Sequence, residues 1–111
     1  MKVCYKIWIE NKKGKIFGEG PFDILTRVNR TGSLRQSAFE IKMSYSQAWN
    51  LIRNLEKKLG YKLLKRKIGG ERGGGSELTE KAVILMNKYR TLYIQAEKQI
   101  NTIYEEIFEN K

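Results

Sequence analysis

Histidine is absent from the 111 residues, and cysteine, proline and aspartate occur once each, as Cys4, Pro21 and Asp23. Without imidazole and with one thiol, the usual zinc ligand sets cannot be assembled and no internal disulfide can close. Acid–base or nucleophilic catalysis also lacks its commonest agent, and no pair of acids is spaced to replace it. We therefore expect no enzyme, no metal site and no cofactor. Cys4 has no basic neighbour to activate it and reads as structural. Asp23 reads as a first-turn acid that complements a helix dipole. Long apolar runs are missing too: the longest, AVILM at 82–86, falls far short of the roughly 20 residues that span a bilayer. The opening MKVCYKIWIE is too polar for a signal peptide. A cytoplasmic protein in a reducing setting, with no membrane partner, is the expectation.

Positive charge is plentiful. Lysine and arginine number 22 against 12 acidic residues, for a formal net charge of +10. Residues 1–78 hold 17 basic and 7 acidic groups, whereas residues 79–111 hold 5 of each. Solubility alone does not explain that asymmetry. A concentrated basic field favours a polyanionic partner, nucleic acid ahead of an anionic membrane surface. At 13.0 kDa the chain fits one domain with a modest core and room for an appendage.

Along the chain, Val3, Tyr5, Ile7 and Ile9 alternate with Cys4, Lys6, Trp8 and Glu10, which is strand periodicity. With a turn at Gly14 and a return through KIFGEG, an N-terminal β-hairpin is expected over about residues 3–19. Gly20-Pro21 then starts a helix with proline at its first position, Ile24, Leu25 and Val28 form its apolar stripe, and Thr31-Gly32 ends it.

Two capping boxes follow, SLRQ from Ser33 and SYSQ from Ser44. In each, the serine hydroxyl accepts from the third helical N–H while the glutamine reaches back to the cap. Helices over 33–42 and 44–59 separated by a tight turn outline a helix-turn-helix, although spacing alone also fits an ordinary helical hairpin. KLLKRKI and SEL flank GGERGGGS, which holds five of the ten glycines. Strand, glycine-rich loop and returning strand describe a wing over 62–78. A phosphate-binding loop would need lysine and Ser/Thr after the last glycine, and they are not there. From Thr79 onward, Ala82, Met86, Tyr89, Tyr93, Ala96, Ile100, Ile103 and Ile107 follow one another at alternating four- and three-residue steps, a heptad seam. A helix of about 30 residues reaches roughly 45 Å, longer than a small domain, so a second copy is the economical cover. Met86, Tyr89, Tyr93, Ala96, Ile100, Ile103 and Ile107 are the expected dimer residues.

On helix 44–59, Ala48, Ile52, Leu55 and Leu59 gather on one side, and Ser46, Asn50, Arg53 and Lys57 on the other. Such a polar edge fits the major groove, where Gln and Asn suit adenine and Arg suits guanine or phosphate. Tyr45, Ser46, Gln47, Asn50 and Arg53 are the base-facing candidates. Packing is the rival role for Tyr45 and its neighbour Trp49, and the capping box is the rival for Gln47. Ser33, Arg35, Lys57, Lys65, Arg66, Lys67 and Arg72 are the phosphate and wing candidates.

The stretch TGSLRQSAFEIKMSYSQAWNLIRNLEKKLGYKLLKRKIGGERGGGSELT is similar to the winged helix-turn-helix of LysR-type regulators, and resembles more closely the N-terminal domain of the molybdate-dependent ModE family. Thr31-Gly32-Ser33, Ala38, Met43-Ser44-Tyr45, Ala48-Trp49, Arg66 and the glycine-rich loop before Leu78-Thr79 carry the likeness. It implies a homodimer joined mainly through the last helix and a palindromic operator read by helix 44–59 and the wing. Molybdate sensing in that family belongs to a C-terminal domain, so no molybdate-binding domain and no oxyanion site are expected here. Phe39 departs from the family, which tends to be polar there.

The expected protein is thus an α+β winged helix-turn-helix with an N-terminal β-hairpin and a long C-terminal dimerisation helix. Residues 1–78 would form the DNA-binding domain, with the helix-turn-helix at 33–59, and residues 79–111 the dimerisation helix. The expected function is sequence-specific regulation of transcription on double-stranded DNA. A sequence-nonspecific architectural binder of the same fold is the alternative, and a module docking an acidic protein comes next.

Overall fold

Side-chain caps and left-handed glycines set most of the helix boundaries in the computed structural model, which describes residues 1–67 and 75–109. A short hairpin, β1 (Ile9–Asn11) and β2 (Gly14–Phe17), leads into α1 (Glu19–Thr31), α2 (Leu34–Glu40) and α3 (Tyr45–Leu59). A second antiparallel pair, β3 (Leu64–Lys67) and β4 (Gly75–Leu78), precedes the long helix α4 (Glu80–Tyr104), which ends in a wider π-helical turn over Glu105–Glu109. The architecture is α+β, a winged helix-turn-helix. Residues 68–74, where the glycine-rich tip of the wing and Arg72 are expected, lie outside the described residues.

Several boundaries differ from the sequence reading for identifiable reasons. The hairpin ladder covers only residues 9–17 rather than 3–19. Residues 1–8 keep the expected alternation, with Val3, Tyr5 and Ile7 half-buried between exposed neighbours, because they lie along α4 rather than along a strand. The Tyr89 hydroxyl donates to the Ile7 carbonyl at 2.8 Å, and the Tyr5 and Tyr93 rings are 5.9 Å apart. α1 starts two residues before Pro21, capped by Gly18. Proline still sits in the first turn, where no intrahelical N–H is lost. α2 stops at Glu40, and Lys42 takes φ +58° to turn the chain toward α3. The SLRQ box is half made: the Ser33 hydroxyl accepts from the Gln36 amide, but the Ser33 amide donates to the Thr31 hydroxyl instead of to Gln36. The SYSQ box is complete.

Asp23 lies beyond the first turn, so the dipole account gives way to an ion-pair network. Arg27 donates to Asp23 and to Glu40, each at 2.9 Å, and Arg30 also donates to Glu40. The network straps α1 to α2. Arg30 foremost, then Arg27, holds the Glu40 carboxyl below the usual carboxylate range.

The core joins Ile24, Leu25 and Val28 of α1 to Ala38 of α2, Ala48, Ile52 and Leu55 of α3, Phe17 of β2 and Leu63. Each fully buried Leu, Ile or Phe contributes about 1.5–3 kcal/mol. α4 closes this core with Ala82, Met86 and Tyr89, then runs on past the domain and stretches the molecule to 61 × 30 × 24 Å. Among the described residues no helix is long and apolar enough to cross a membrane.

Candidate nucleic-acid interface

α3 is presented by its two ends. At its start, the Ser44 hydroxyl accepts from the Gln47 amide at 3.1 Å and the Gln47 side-chain oxygen accepts from the Ser44 amide at 3.0 Å. The Gln47 oxygen is therefore engaged, which leaves its NH2 as the group that can still face a base. At its end, Gly60 takes φ +84° and its amide closes on the Glu56 carbonyl. Between these points Ala48, Ile52 and Leu55 are buried, while Ser46, Asn50 and Lys57 are exposed. The polar edge expected from the helical pattern is open at Ser46, Asn50 and Lys57, with Arg53 half-buried between them.

Two arginines on this side sit over aromatic rings. The Arg35 guanidinium sits 4.3 Å from the Tyr45 ring centroid, joining the start of α2 to the start of α3. The Arg53 guanidinium sits 4.8 Å from the Trp49 centroid. Tyr45 and Trp49 remain partly exposed, at 39% and 44%, so both serve as surface platforms rather than core residues. At Ser33 the amide is taken by the Thr31 hydroxyl, whereas the side-chain hydroxyl accepts from the Gln36 amide and keeps its own proton to donate to a phosphate.

The wing stands beside this edge. β3 and β4 pair from Leu64↔Leu78 to Lys67↔Gly75. Lys65, Arg66 and Lys67 are exposed on β3, and Lys65 lies 3.8 Å from Glu77, an open pair worth under about 1 kcal/mol. A cleft of about 210 Å³ separates α3 from the ladder and is lined by Tyr45, Trp49, Arg53, Lys65, Arg66 and Ser76. A larger one of about 520 Å³ continues past the second half of α3, beside Asn50, Arg53, Lys57, Tyr61 and Lys62. Backbone contacts root the wing. The Ser76 amide donates to the Gly32 carbonyl at 2.9 Å, and the Thr79 amide donates to the Leu63 carbonyl at 3.0 Å.

Glu56 received no role in the sequence reading, which sorted helix 44–59 into an apolar and a polar side without it. It is 92% buried, with its side chain only 8% exposed. Its Oε2 accepts from the Leu63 amide at 2.8 Å and the Leu64 amide at 3.3 Å. The sequence does hold a faint signal: Glu56 stands next to Leu55, on the margin of the apolar stripe.

The dimer seam needs correction in its first half. Met86 and Tyr89 are buried inside their own domain, and Tyr93 is half-buried against Tyr5 and Tyr89. A heptad pattern reports that a stripe is covered without reporting by what, and here residues 5–22 supply the cover. Further along, Ala96 and Ile100 are half-buried, while Ile103 and Ile107 stand exposed at 52% and 68%.

The model of the family described as bacterial regulatory helix-turn-helix protein, lysR family, matches residues 22–83. The molybdenum transport protein ModE of Azotobacter vinelandii is 26% identical over 101 residues, which is 91% of this chain and 37% of that protein. The transcriptional regulator ModE of Haemophilus influenzae is 32% identical over 83 residues, 75% of this chain and 32% of its own length. The molybdenum-pterin-binding protein MopB of Rhodobacter capsulatus is 28% identical over 86 residues, 78% of this chain and 32% of its own length. The chain spans about a third of the length of these curated relatives.

Proposed function

The chain belongs to the lysR family of bacterial regulatory helix-turn-helix proteins, and from that premise we propose that it regulates transcription by reading a palindromic operator in double-stranded DNA as a homodimer. The observation that carries the reading is the uncovered α3 edge, with Ser46, Asn50 and Lys57 exposed and Arg53 stacked on Trp49. An edge this narrow enters the major groove and brings amide and guanidinium groups to base edges. Tyr45 and the free NH2 of Gln47 extend the base-facing set. Arg35, Lys57, Lys65, Arg66 and Lys67 supply phosphate contacts that fix register without reading sequence. Arg72 joins them from the glycine-rich loop by its position in the sequence.

The two parts of the chain then divide the work. Residues 1–78 bind DNA and residues 79–111 pair two copies, through Ala96, Ile100, Ile103 and Ile107 rather than through Met86 and Tyr89. The projection of α4 beyond the domain supports this, because an exposed apolar stripe on an isolated helix is costly. Two-fold pairing sets the recognition helices about one DNA turn, ~34 Å, apart.

Selection of bound duplexes from a random pool tests the reading. The expected result is a two-fold symmetric motif, bound at least about a thousandfold tighter than random DNA, with affinity falling steeply as salt rises. Salt-sensitive binding with no enriched motif would instead identify an architectural binder. Absence of DNA binding at low salt would turn attention to an acidic protein partner.

A further inference from the structure

Among the described residues Glu56 is the one charged side chain that is buried. Its two oxygens serve two different elements. Oε2 holds the Leu63 and Leu64 amides at 2.8 and 3.3 Å, where the chain enters β3. Oε1 lies 3.6 Å from Arg53 Nη1 and 3.8 Å from Lys62 Nζ. The strand entrance it grips is held from the other side by Thr79, whose hydroxyl donates to the Lys62 carbonyl at 2.7 Å. A carboxylate buried to this degree persists only when it is hydrogen-bonded and charge-compensated, and here the compensation is shared by Lys62 and by Arg53, an arginine on the proposed reading edge.

Resting on the DNA-binding reading above, we propose that Glu56 is a positioning residue for DNA recognition. One carboxylate joins the recognition helix to the root of the wing and holds Arg53 on Trp49 so that its guanidinium enters the groove already oriented. Helix and wing then meet the duplex in a fixed relative register, and Arg53 contributes sequence discrimination rather than undirected charge.

The sign of one substitution separates this role from simple electrostatics. Glu56→Gln keeps an oxygen for the Leu63 and Leu64 amides but turns an NH2 toward Arg53 and Lys62, which frees the guanidinium. If the carboxylate acts only as a negative charge near DNA, its removal tightens binding to every duplex. If it positions Arg53, E56Q binds the selected operator about tenfold more weakly while random DNA is bound as well as before or better. In an Arg53→Ala background the same change then costs almost nothing, because the two residues act as one unit. Tighter or unchanged operator binding by E56Q overturns the proposal, as does a penalty that persists undiminished without Arg53.

Should E56Q fail to fold, Arg53→Lys supplies the test on the exposed side. It keeps the charge and loses the planar fork, so the expected loss is again about tenfold at the operator, with random-DNA affinity and salt slope unchanged. Operator binding by R53K equal to the wild type overturns the proposal. A wild-type protein with no preferred sequence overturns the DNA reading itself, whereas a preference that E56Q retains in full overturns Glu56 alone.

Discussion

Gly75 stands at the joint between the wing and the turn before α2, and adding one methyl group there is a sharp test of how the wing is rooted. A Cβ built on Gly75 would lie 2.5 Å from the Gly32 carbonyl oxygen, a backbone atom with no rotamer to retreat into. The same oxygen accepts the Ser76 amide at 2.9 Å, so the strand can escape the clash only by loosening that bond. Overpacking of this kind costs about 1–3 kcal/mol. With an unfolding entropy near 2.1 cal/mol/K per residue over 111 residues, Gly75→Ala should lower Tm by about 4–13 °C. Gly20→Ala is the control, because a Cβ at Gly20 meets nothing within 4 Å. In a helix that change is neutral or stabilising by up to about 1 kcal/mol. Thermal melts of the three proteins at one concentration, which matters if the chain dimerises, decide the point. A displaced wing should also weaken operator binding by G75A while leaving G20A unaffected. Equal melting temperatures for G75A and the wild type would refute the rooting of β4 on Gly32.

Three further outcomes are expected. Asn50→Ala and Arg53→Ala should each lose about 1–3 kcal/mol at the selected operator with little change on random DNA, whereas Arg66→Ala should weaken all duplexes alike and reduce the salt slope by about one; identical behaviour of the three would cancel the division into base and phosphate contacts. Glu40, held below the usual carboxylate range by Arg30 and Arg27, contributes stability that is complete above the unfolded-chain value near ~4.3 and is lost as pH falls through the lower folded value. The gap in Tm between the wild type and Glu40→Gln should therefore close on acidification below that value, and a gap that widened would contradict the sign. Ile103→Glu with Ile107→Glu should yield a folded monomer by sedimentation, since neither side chain touches the core; a dimer that survived both changes would place the interface elsewhere.

The order of elements was legible in the sequence because each boundary is local. The Ser44 box, the glycines after α1 and α3, and the apolar stripes of Ile24-Leu25-Val28 and Ala48-Ile52-Leu55 are settled by neighbours within a few residues. The exposed side of α3 followed from the same periodicity. What escaped needs long-range contacts. Residues 1–8 alternate like a strand with or without a strand beside them, and only the approach of Tyr5 and Ile7 to α4 shows what covers them. Met86 and Tyr89 fit a heptad whichever surface meets it. Glu56 carries the same letter as the exposed Glu97, and burial against the Leu63 and Leu64 amides is decided by how the chain turns at Gly60. Ser33 shows the limit of a motif: Thr31, two residues upstream, took the amide that its box reserved for Gln36.

Arginine and lysine are distributed over the proposed interface in different states, and the difference bears on how it would discriminate. A free arginine or lysine side chain carries about 2 kcal/mol of rotamer entropy, which must be surrendered when it is fixed on DNA. Arg35 on Tyr45 and Arg53 on Trp49 have already given up part of it, in exchange for a cation–π contact of about 0.5–1 kcal/mol at an exposed site. Lys57 and Lys67 are exposed and are stacked on no ring among the described residues. Oriented guanidinium forks favour the geometrically demanding contacts to base edges, where misplacement by an ångström forfeits the bond. Mobile ammonium groups suit phosphates, which accept charge from many directions. Discrimination would then reside in Arg53 and Asn50, while Arg35, held on Tyr45, fixes one phosphate contact and the lysines around them supply the bulk of the salt-dependent affinity.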